Sequence, residues 1–383
     1  MTKKVLMLAA KANMIQQFNH RNIKILQDLG YEVHVATNMV DFGSMSAEEN
    51  ERFKQWMTKN NVIAHQVDFE RRMGSIKGNI KSTKQLNQLF KQYRYSFIHV
   101  HSPLGGILGR IVAKKFKVPV IYTAHGFHFF KGGPKSSWIF FFPLEWTFSF
   151  ITDTLITINR EDFEIANKYM HSKNIVSISG NGVGVERAWS VSEKYKTTAR
   201  YRIRKELGIP RDAYVISSIG ELSDRKNHKI VLEALNDIDP KIRKNIYYIV
   251  AGTGDNAAML REFAKKINFD THFKLLGYRN DIHEINYASD LFVFPSLREG
   301  LGIAGLEASI DGVNVIGTSN GGVSDYIKEG INGQLFDPND SKTLAQLIIK
   351  NVASPIIVEH FDFLKHFDEK NVDDTIRNVY ENM

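Results

Sequence analysis

Short apolar runs recur along the chain, separated by stretches whose apolar positions fall at helical spacing. Lys4–Ala10 is the first run and predicts a strand. Gln16–Leu29 gathers Phe18, Ile23, Ile25, Leu26 and Leu29 on one face and predicts a helix, with Gly30 placed to end it. Tyr31–Ala36 predicts a second strand. Asp41–Asn61 is polar and reads as helical, Val62–Phe69 as a strand, and Ile76–Tyr93 as a basic amphipathic helix. Phe97–His101, Val118–Thr123, Thr154–Ile158 and Ile175–Ser179 predict strands, with helices over Gly105–Lys115 and Arg160–Tyr169, the latter capped by Asn159. The alternation resumes with a helix over Tyr201–Leu207 that Gly208 stops. Strands over Tyr214–Ile219, Tyr247–Ala251, Asp290–Phe294 and Asn314–Thr318 follow, with helices over Lys229–Leu235 and Val372–Tyr380. This strand–helix alternation predicts an α/β protein with Rossmann-like parallel sheets.

The chain has 383 residues, too many for one ordinary core, so two domains are expected, with a boundary near residues 186–200. It contains no cysteine, which excludes disulfides, thiolate zinc sites and a cysteine nucleophile. The apolar run at Val5–Ala10 ends at Lys11, too short for a signal peptide, and no uncharged run is long enough to span a bilayer. Charge is uneven. Residues 1–190 carry 25 Lys/Arg against 14 Asp/Glu, and Arg71–Leu144 carries 13 cations and no acid. Such a stretch attracts an anionic lipid, a pyrophosphate-linked substrate or a nucleic acid, or is simply a solvated basic face.

Ser137–Ile151 (SWIFFFPLEWTFSFI) is the most aromatic segment. Pro143 and Glu145 interrupt it, and it is too short to span a membrane. It reads either as a core helix or as a helix partly facing a bilayer, with Lys131 and Lys135 at the headgroups.

The chemistry concentrates at Pro295–Ser309 (PSLREGLGIAGLEAS). A buried strand leads into a loop with Gly300, Gly302 and Gly305, and a helix is expected to start near Ile303 or Ala304. Glu299 then lies in the loop and Glu307 about one turn into the helix. Glycine backbone can approach a ligand closely, and a helix amino terminus favours an anion such as a diphosphate. Carboxylates on either side can accept hydrogen bonds from two sets of hydroxyls, as a nucleotide sugar offers. On spacing alone, an ordinary βα loop with two surface glutamates is the favoured reading.

Further along the same lines, Gly220–His228 (GELSDRKNH) sets Arg225 and Lys226 between a strand end and a helix start, where they can neutralise a leaving diphosphate or remain solvated. Gly252 and Gly254 form a turn after a strand. His125 follows the strand Val118–Thr123, where a Rossmann-like sheet presents ligands, with Gly126 and a second histidine, His128, beyond it. His99 and His101 are expected on opposite faces of one strand, which disfavours a paired metal site there. Asp237-Ile238-Asp239 matches an Asp-x-Asp metal motif formally but sits at a helix end before Pro240 and reads as surface. The loop after the first strand lacks a Gly-x-Gly-x-x-Gly fingerprint, which counts against a nicotinamide enzyme.

Taken together, these segments resemble the retaining family 4 glycosyltransferases, and the His-Gly-Phe-His-Phe run at His125 resembles the bacterial capsule and exopolysaccharide members. The resemblance spans nearly the whole chain. It implies the GT-B architecture, with an acceptor-binding Rossmann-like domain over residues 1–190 and a nucleotide-sugar-binding one over residues 191–365. The two would face across a cleft, and residues 366–383 would form a helix crossing back. It also implies roles. His125 would lie by the transferred sugar with Gly126, and Arg225 and Lys226 by the diphosphate. Glu299 would contact hexose hydroxyls and Glu307 the ribose, with the backbone of Gly300, Leu301, Gly302 and Ile303 on the phosphates. Gly252, Gly254, Tyr278 and Arg279 would line the nucleotide. Glu221 stands where many members have an arginine, and Gly184 where the linker usually has an aspartate; many members also have a Gly-Gly pair after the first strand.

The implied reaction is retaining transfer of a hexose or N-acetylhexosamine from a UDP-sugar, with no metal or other cofactor. The implied acceptor is a saccharide on a polyprenyl diphosphate. The implied location is cytoplasmic, peripheral at the inner membrane face and touching anionic lipid, with no nucleic-acid partner. The rival readings are a nucleotide-sugar epimerase or a phosphorylase on the same fold, a nucleotide-sugar-binding assembly protein without turnover, and, third, a nucleic-acid binder, for which the basic region lacks a recognised motif. A phosphorylase would need a pyridoxal lysine and usually a longer chain.

Overall fold

The computed structural model describes residues 2–71, 73–101 and 103–383; Arg72, within the acid-free stretch, is outside them. The chain divides into two units. One comprises the residues up to Asn181 together with Lys370–Met383, the other Gly182–Glu369.

The first unit is built on seven parallel strands: β1 (Lys4–Lys11), β2 (Glu32–Asn38), β3 (Ile63–Gln66), β4 (Tyr95–His101), β5 (Val120–Ala124), β6 (Thr154–Thr157) and β7 (Asn174–Ser177). Their order is β3-β2-β1-β4-β5-β6-β7. Strand order reverses between β1 and β4, the place where a doubly wound sheet opens a crevice at its carboxyl edge. Val5 through Ala9 are wholly buried, because helices cover both faces of the sheet. Leu6, Leu8, Val100 and Tyr122 face one core, and Val5, Met7, Val35 and Phe97 the other.

The second unit repeats the plan with six strands: β8 (Tyr214–Ile219), β9 (Ile246–Ala251), β10 (Phe273–Gly277), β11 (Leu291–Phe294), β12 (Asn314–Thr318) and β13 (Gly333–Phe336). The order β10-β9-β8-β11-β12-β13 puts the reversal between β8 and β11.

Several local expectations change. The helix expected over Gln16–Leu29 is two helices, Ala12–Phe18 and His20–Asp28, broken at Asn19. Asn19 is buried, and its side-chain amide donates to the Met14 carbonyl at 3.1 Å, which holds the break. Gly30 does follow the second helix, at φ +82°. Asp41–Asn61 is helical only over Ala47–Lys59, where Ser46 and Glu49 form a reciprocal cap. Before it, Asp41 turns back to pair with Lys11. The helix read as Tyr201–Leu207 begins earlier and spans Glu193–Glu206 from a Ser192 cap. Asp239 caps the short helix Pro240–Arg243 with its carboxylate.

The aromatic segment forms the helix Lys135–Ser149, with Pro143 inside it. Trp138, Phe141 and Phe142 pack on the first core, whereas Ile139 and Phe140 are 67% and 69% exposed. Its Glu145 accepts a hydrogen bond from the Tyr122 hydroxyl at 2.8 Å and pairs with the buried Arg110 at 3.4 Å. No helix among the described residues is long and apolar enough to cross a membrane.

The helix Glu369–Glu381 begins at the end of the second unit and continues through the first. Its Tyr380 is fully buried against Phe97, and the Tyr380 hydroxyl meets His99 Nδ1 at 2.8 Å.

Candidate functional site

In the second unit, β8 and β11 both deliver their carboxyl ends to the reversal point. Gly220–Lys226 leaves β8 and ends in a single 3-10 turn over Asp224–Lys226, closed by Asn227 in a left-handed conformation at φ +53°. Pro295–Gly302 leaves β11. The two loops are joined by backbone, Leu297 N–H donating to the Arg225 carbonyl at 2.9 Å, and by charge. Glu299 Oε1 accepts from Arg225 at 2.8 Å and from Lys226 Nζ at 2.7 Å. The Glu299 side chain is 12% exposed and that of Lys226 14%, so this pair is largely withdrawn from water, while Arg225 is 54% exposed. Phe294, at the end of β11, lies beneath the ammonium with its ring centroid 5.2 Å away.

The loop then turns into the helix Ile303–Ile310 through Gly302, whose φ of +80° is the left-handed region. A Cβ there would come within 2.7 Å of Phe294 and 2.9 Å of Val323, so glycine is required both by conformation and by packing. Leu301 is buried, Ile303 packs on the core, and Gly300 lies between the loop charges and the helix. Glu307 stands one turn into this helix, and burial raises its carboxyl pKa above the usual range.

The loops after β9 and β10 close the other side. Gly252 N–H donates to the Gly277 carbonyl at 2.8 Å, and a Cβ on Gly252 would lie 1.9 Å from the Gly220 carbonyl oxygen. Gly254 approaches Leu222 in the same way. Tyr278 is 72% exposed at this edge. Arg279 is committed to Glu206 at 2.6 Å and Asp281 at 2.7 Å, which raises its pKa further. Glu221 is exposed and accepts from the Ser223 hydroxyl at 3.1 Å. The structure therefore brings Arg225, Lys226 and Glu299 into one cluster, and Gly252 and Gly254 against the same loop. Tyr278 and Arg279 make none of these contacts.

In the first unit, His125 follows β5 directly. The next turn is fixed by Asp162, whose carboxylate accepts the Phe127 N–H at 2.9 Å, while Gly126 takes φ +111°. His125 Nε2 meets His101 Nδ1 at 3.1 Å, and Phe18 lies beside the ring. Burial lowers His125 to about 4, so the ring is neutral near pH 7. His128 instead stacks on Phe141, with centroids 4.6 Å apart. The expectation for His99 and His101 is corrected. Their rings lie 4.1 Å apart on one face, because residues two apart on a strand share a face. Burial drives His101 well below its usual pKa, and its Nε2 has no hydrogen-bond partner among the described residues.

A cavity of about 840 Å³ opens at the β1/β4 reversal point of this unit. Lys11, Asn13, Arg71, Leu104, His128 and Phe141 are among its lining residues. Lys11 and Arg71 both pair with Asp41, so the charge there is partly offset. Among the described residues no group of three or more His, Asp or Glu side chains is arranged to hold a metal ion.

Sequence reading assigned no role to His101, His228 or His283. His228 is buried under the Lys226 loop, with Tyr248 at 3.5 Å, and its place in that segment was the available signal. The pairing of His101 with His125 depends on the β4/β5 register, which sequence does not carry.

The family described as "Glycosyl transferases group 1" matches residues 199–370, and the one described as "Glycosyl transferase 4-like" matches residues 4–159. The chain is 32% identical to the Bacillus subtilis (strain 168) protein named as glycosyltransferase EpsD, over 91% of this chain and 87% of that one. It is also 32% identical to an Escherichia coli protein named UDP-Gal:alpha-D-GlcNAc-diphosphoundecaprenol alpha-1,3-galactosyltransferase, over 71% and 70%. Among solved structures, Anabaena HepE in complex with UDP and glucose aligns over all of both chains, with a TM-score of 0.76 and 18% identity, a likeness of fold.

Proposed function

The chain belongs to the family 4 glycosyltransferases, with two Rossmann-like domains of the GT-B type, and on that premise we propose that it transfers a hexose or N-acetylhexosamine from a UDP-sugar. The acceptor in this reading is a saccharide on a polyprenyl diphosphate, used in polysaccharide assembly at the inner membrane face, with the anomeric configuration retained. The name of the Escherichia coli relative, which pairs a UDP-sugar with a diphosphoundecaprenol acceptor, supports that choice.

The observation that carries the reading is the second unit's charge cluster. Glu299 is gripped by Arg225 and Lys226 on a glycine loop that ends at the amino terminus of the helix bearing Glu307. A diphosphate fits where two cations meet the amino terminus of a helix. On this reading the sugar's C1–O bond to the β-phosphate breaks, and the cations and amides take up the charge on the departing UDP without a metal. The acceptor hydroxyl attacks C1 from the same face, and a phosphate oxygen receives its proton. Glu299 holds hexose hydroxyls and Glu307 the ribose, while Tyr278 and Arg279 flank the base, chiefly through their backbone. His125 is proposed to lie by the transferred sugar. The cavity at the β1/β4 reversal point is proposed for the acceptor. The exposed Ile139 and Phe140 and the surrounding cations are proposed to rest on an anionic bilayer.

Thermal melting with UDP, GDP or ADP in EDTA tests the donor half of this reading. UDP at about 100 times its dissociation constant should stabilise the protein by roughly 2.7 kcal/mol. Glu307→Ala should abolish that shift, and absence of any nucleotide effect would overturn the metal-free donor site. An α-linked product from an α-linked donor is expected, and a β-linked one excludes retention.

A further inference from the structure

Asp311 sits one turn after Glu307, at the end of the helix Ile303–Ile310, and its N–H donates to the Glu307 carbonyl at 3.0 Å. Its side chain is wholly buried. Two carboxylates one turn apart repel each other, and the carboxyl end of a helix is itself the negative end of the dipole. The neighbouring helix, Ile282–Ala288, supplies the compensation. His283 Nδ1 lies 2.9 and 2.8 Å from the two Asp311 oxygens, and Asn286 Nδ2 donates to Asp311 Oδ2 at 2.7 Å. The imidazole is half exposed and within electrostatic reach of Glu307 as well as Asp311.

We propose that His283 is a positioning residue for donor binding: held on Asp311, it supplies the positive charge that keeps Glu307 an ionised acceptor for the hydroxyls of the nucleotide's ribose. The proposal rests on the donor-site reading above and adds its electrostatic support.

The surrounding charges can be named. Asp311 and Glu307 face His283 from one helix, and Arg187 faces it from the helix Val185–Trp189, where Arg187 is also 3.7 Å from Glu369. Tyr287, on His283's own helix, also hydrogen-bonds Asp311. The Asp311 hydrogen bond raises the His283 pKa above its ordinary 6.5, so its charge is present below neutrality and is lost as pH rises through that raised value. Burial raises Glu307, with Asp311 adding to it, so the carboxylate is lost as pH falls. Donor binding therefore has an acid limb set by Glu307, and the His283 charge holds that limb at lower pH.

The experiment measures UDP affinity by calorimetry from pH 5 to 9 for wild type, Glu307→Gln and His283→Gln, with circular dichroism to verify folding. Wild type should show the acid limb, and Glu307→Gln should lose most affinity. His283→Gln should shift the acid limb upward by about one pH unit, a roughly tenfold loss of affinity on that limb. A purely structural His283 would lower the melting temperature and leave the acid limb in place, which overturns the proposal. If Glu307→Gln binds UDP as wild type does, the donor-site reading fails and this proposal with it. If Glu307→Gln loses binding while His283→Gln titrates like wild type, only the proposal fails. A ligand-free check is the NMR titration of His283, whose midpoint should fall in Asp311→Asn; an unchanged midpoint also overturns it.

Discussion

Glu299 carries two duties that a single substitution can separate. It neutralises Arg225 and Lys226, and in the proposed reaction it also binds the hexose. UDP has no hexose, so Glu299→Gln frees both cations without removing anything that UDP touches. Turnover should fall by about 10²- to 10³-fold. UDP should bind at least as tightly as to wild type in calorimetry, and loss of UDP binding along with turnover would contradict the division of roles. At this scale the sequence was partly readable. Glu299, Glu307, Arg225 and Lys226 were legible because each lies at a strand end or helix start that fixes its place. His283 with Asp311, and His101 with His125, were not, because each pair is joined across different elements. His99 and His101 show a different kind of miss, since their two-residue spacing already puts both rings on one face of β4.

Elements were legible wherever one periodicity ran without interruption. Strands β8 and β12 and the helix Arg160–Tyr169 have the bounds expected of them. Failures came where side chains overrode the pattern, as at Asn19, whose buried amide splits one amphipathic run into two helices. The Glu193–Glu206 helix exceeds its expected span because its first two turns are polar and so carry little hydrophobic signal. The turn at Gly302 is the element most sensitive to change. Gly302→Ala imposes an alanine on φ +80° and pushes its Cβ against Phe294 and Val323. A loss of about 1–3 kcal/mol in urea unfolding is expected, with the UDP-dependent thermal shift lost as well. A stable variant that still binds UDP would mean the turn can be rebuilt.

On the scale of the whole chain, two parallel sheets were legible from the repeated strand–helix alternation, whereas the return of the last helix to the first unit came only with the family resemblance, because no periodicity carries it. The chain leaves the first unit at Asn181 and rejoins it at Lys370. That return is anchored by Tyr380, packed on Phe97 and hydrogen-bonded to His99. Tyr380→Ala should destabilise the first unit by about 3–5 kcal/mol, whereas Tyr380→Phe, which keeps the ring, should cost about 1 kcal/mol. Scanning calorimetry should show the first unit's transition moving and the second unit's standing still; equal shifts in both would contradict separate cores. The discontinuity also sets a timetable. A ribosome adds about 5–20 residues per second, so Tyr380 emerges on the order of ten to forty seconds after Asn181. Through that interval the nascent first sheet waits with Phe97 and His99 uncovered, so this protein should lean on a chaperone during synthesis more than a chain whose sheets each finish before the next begins.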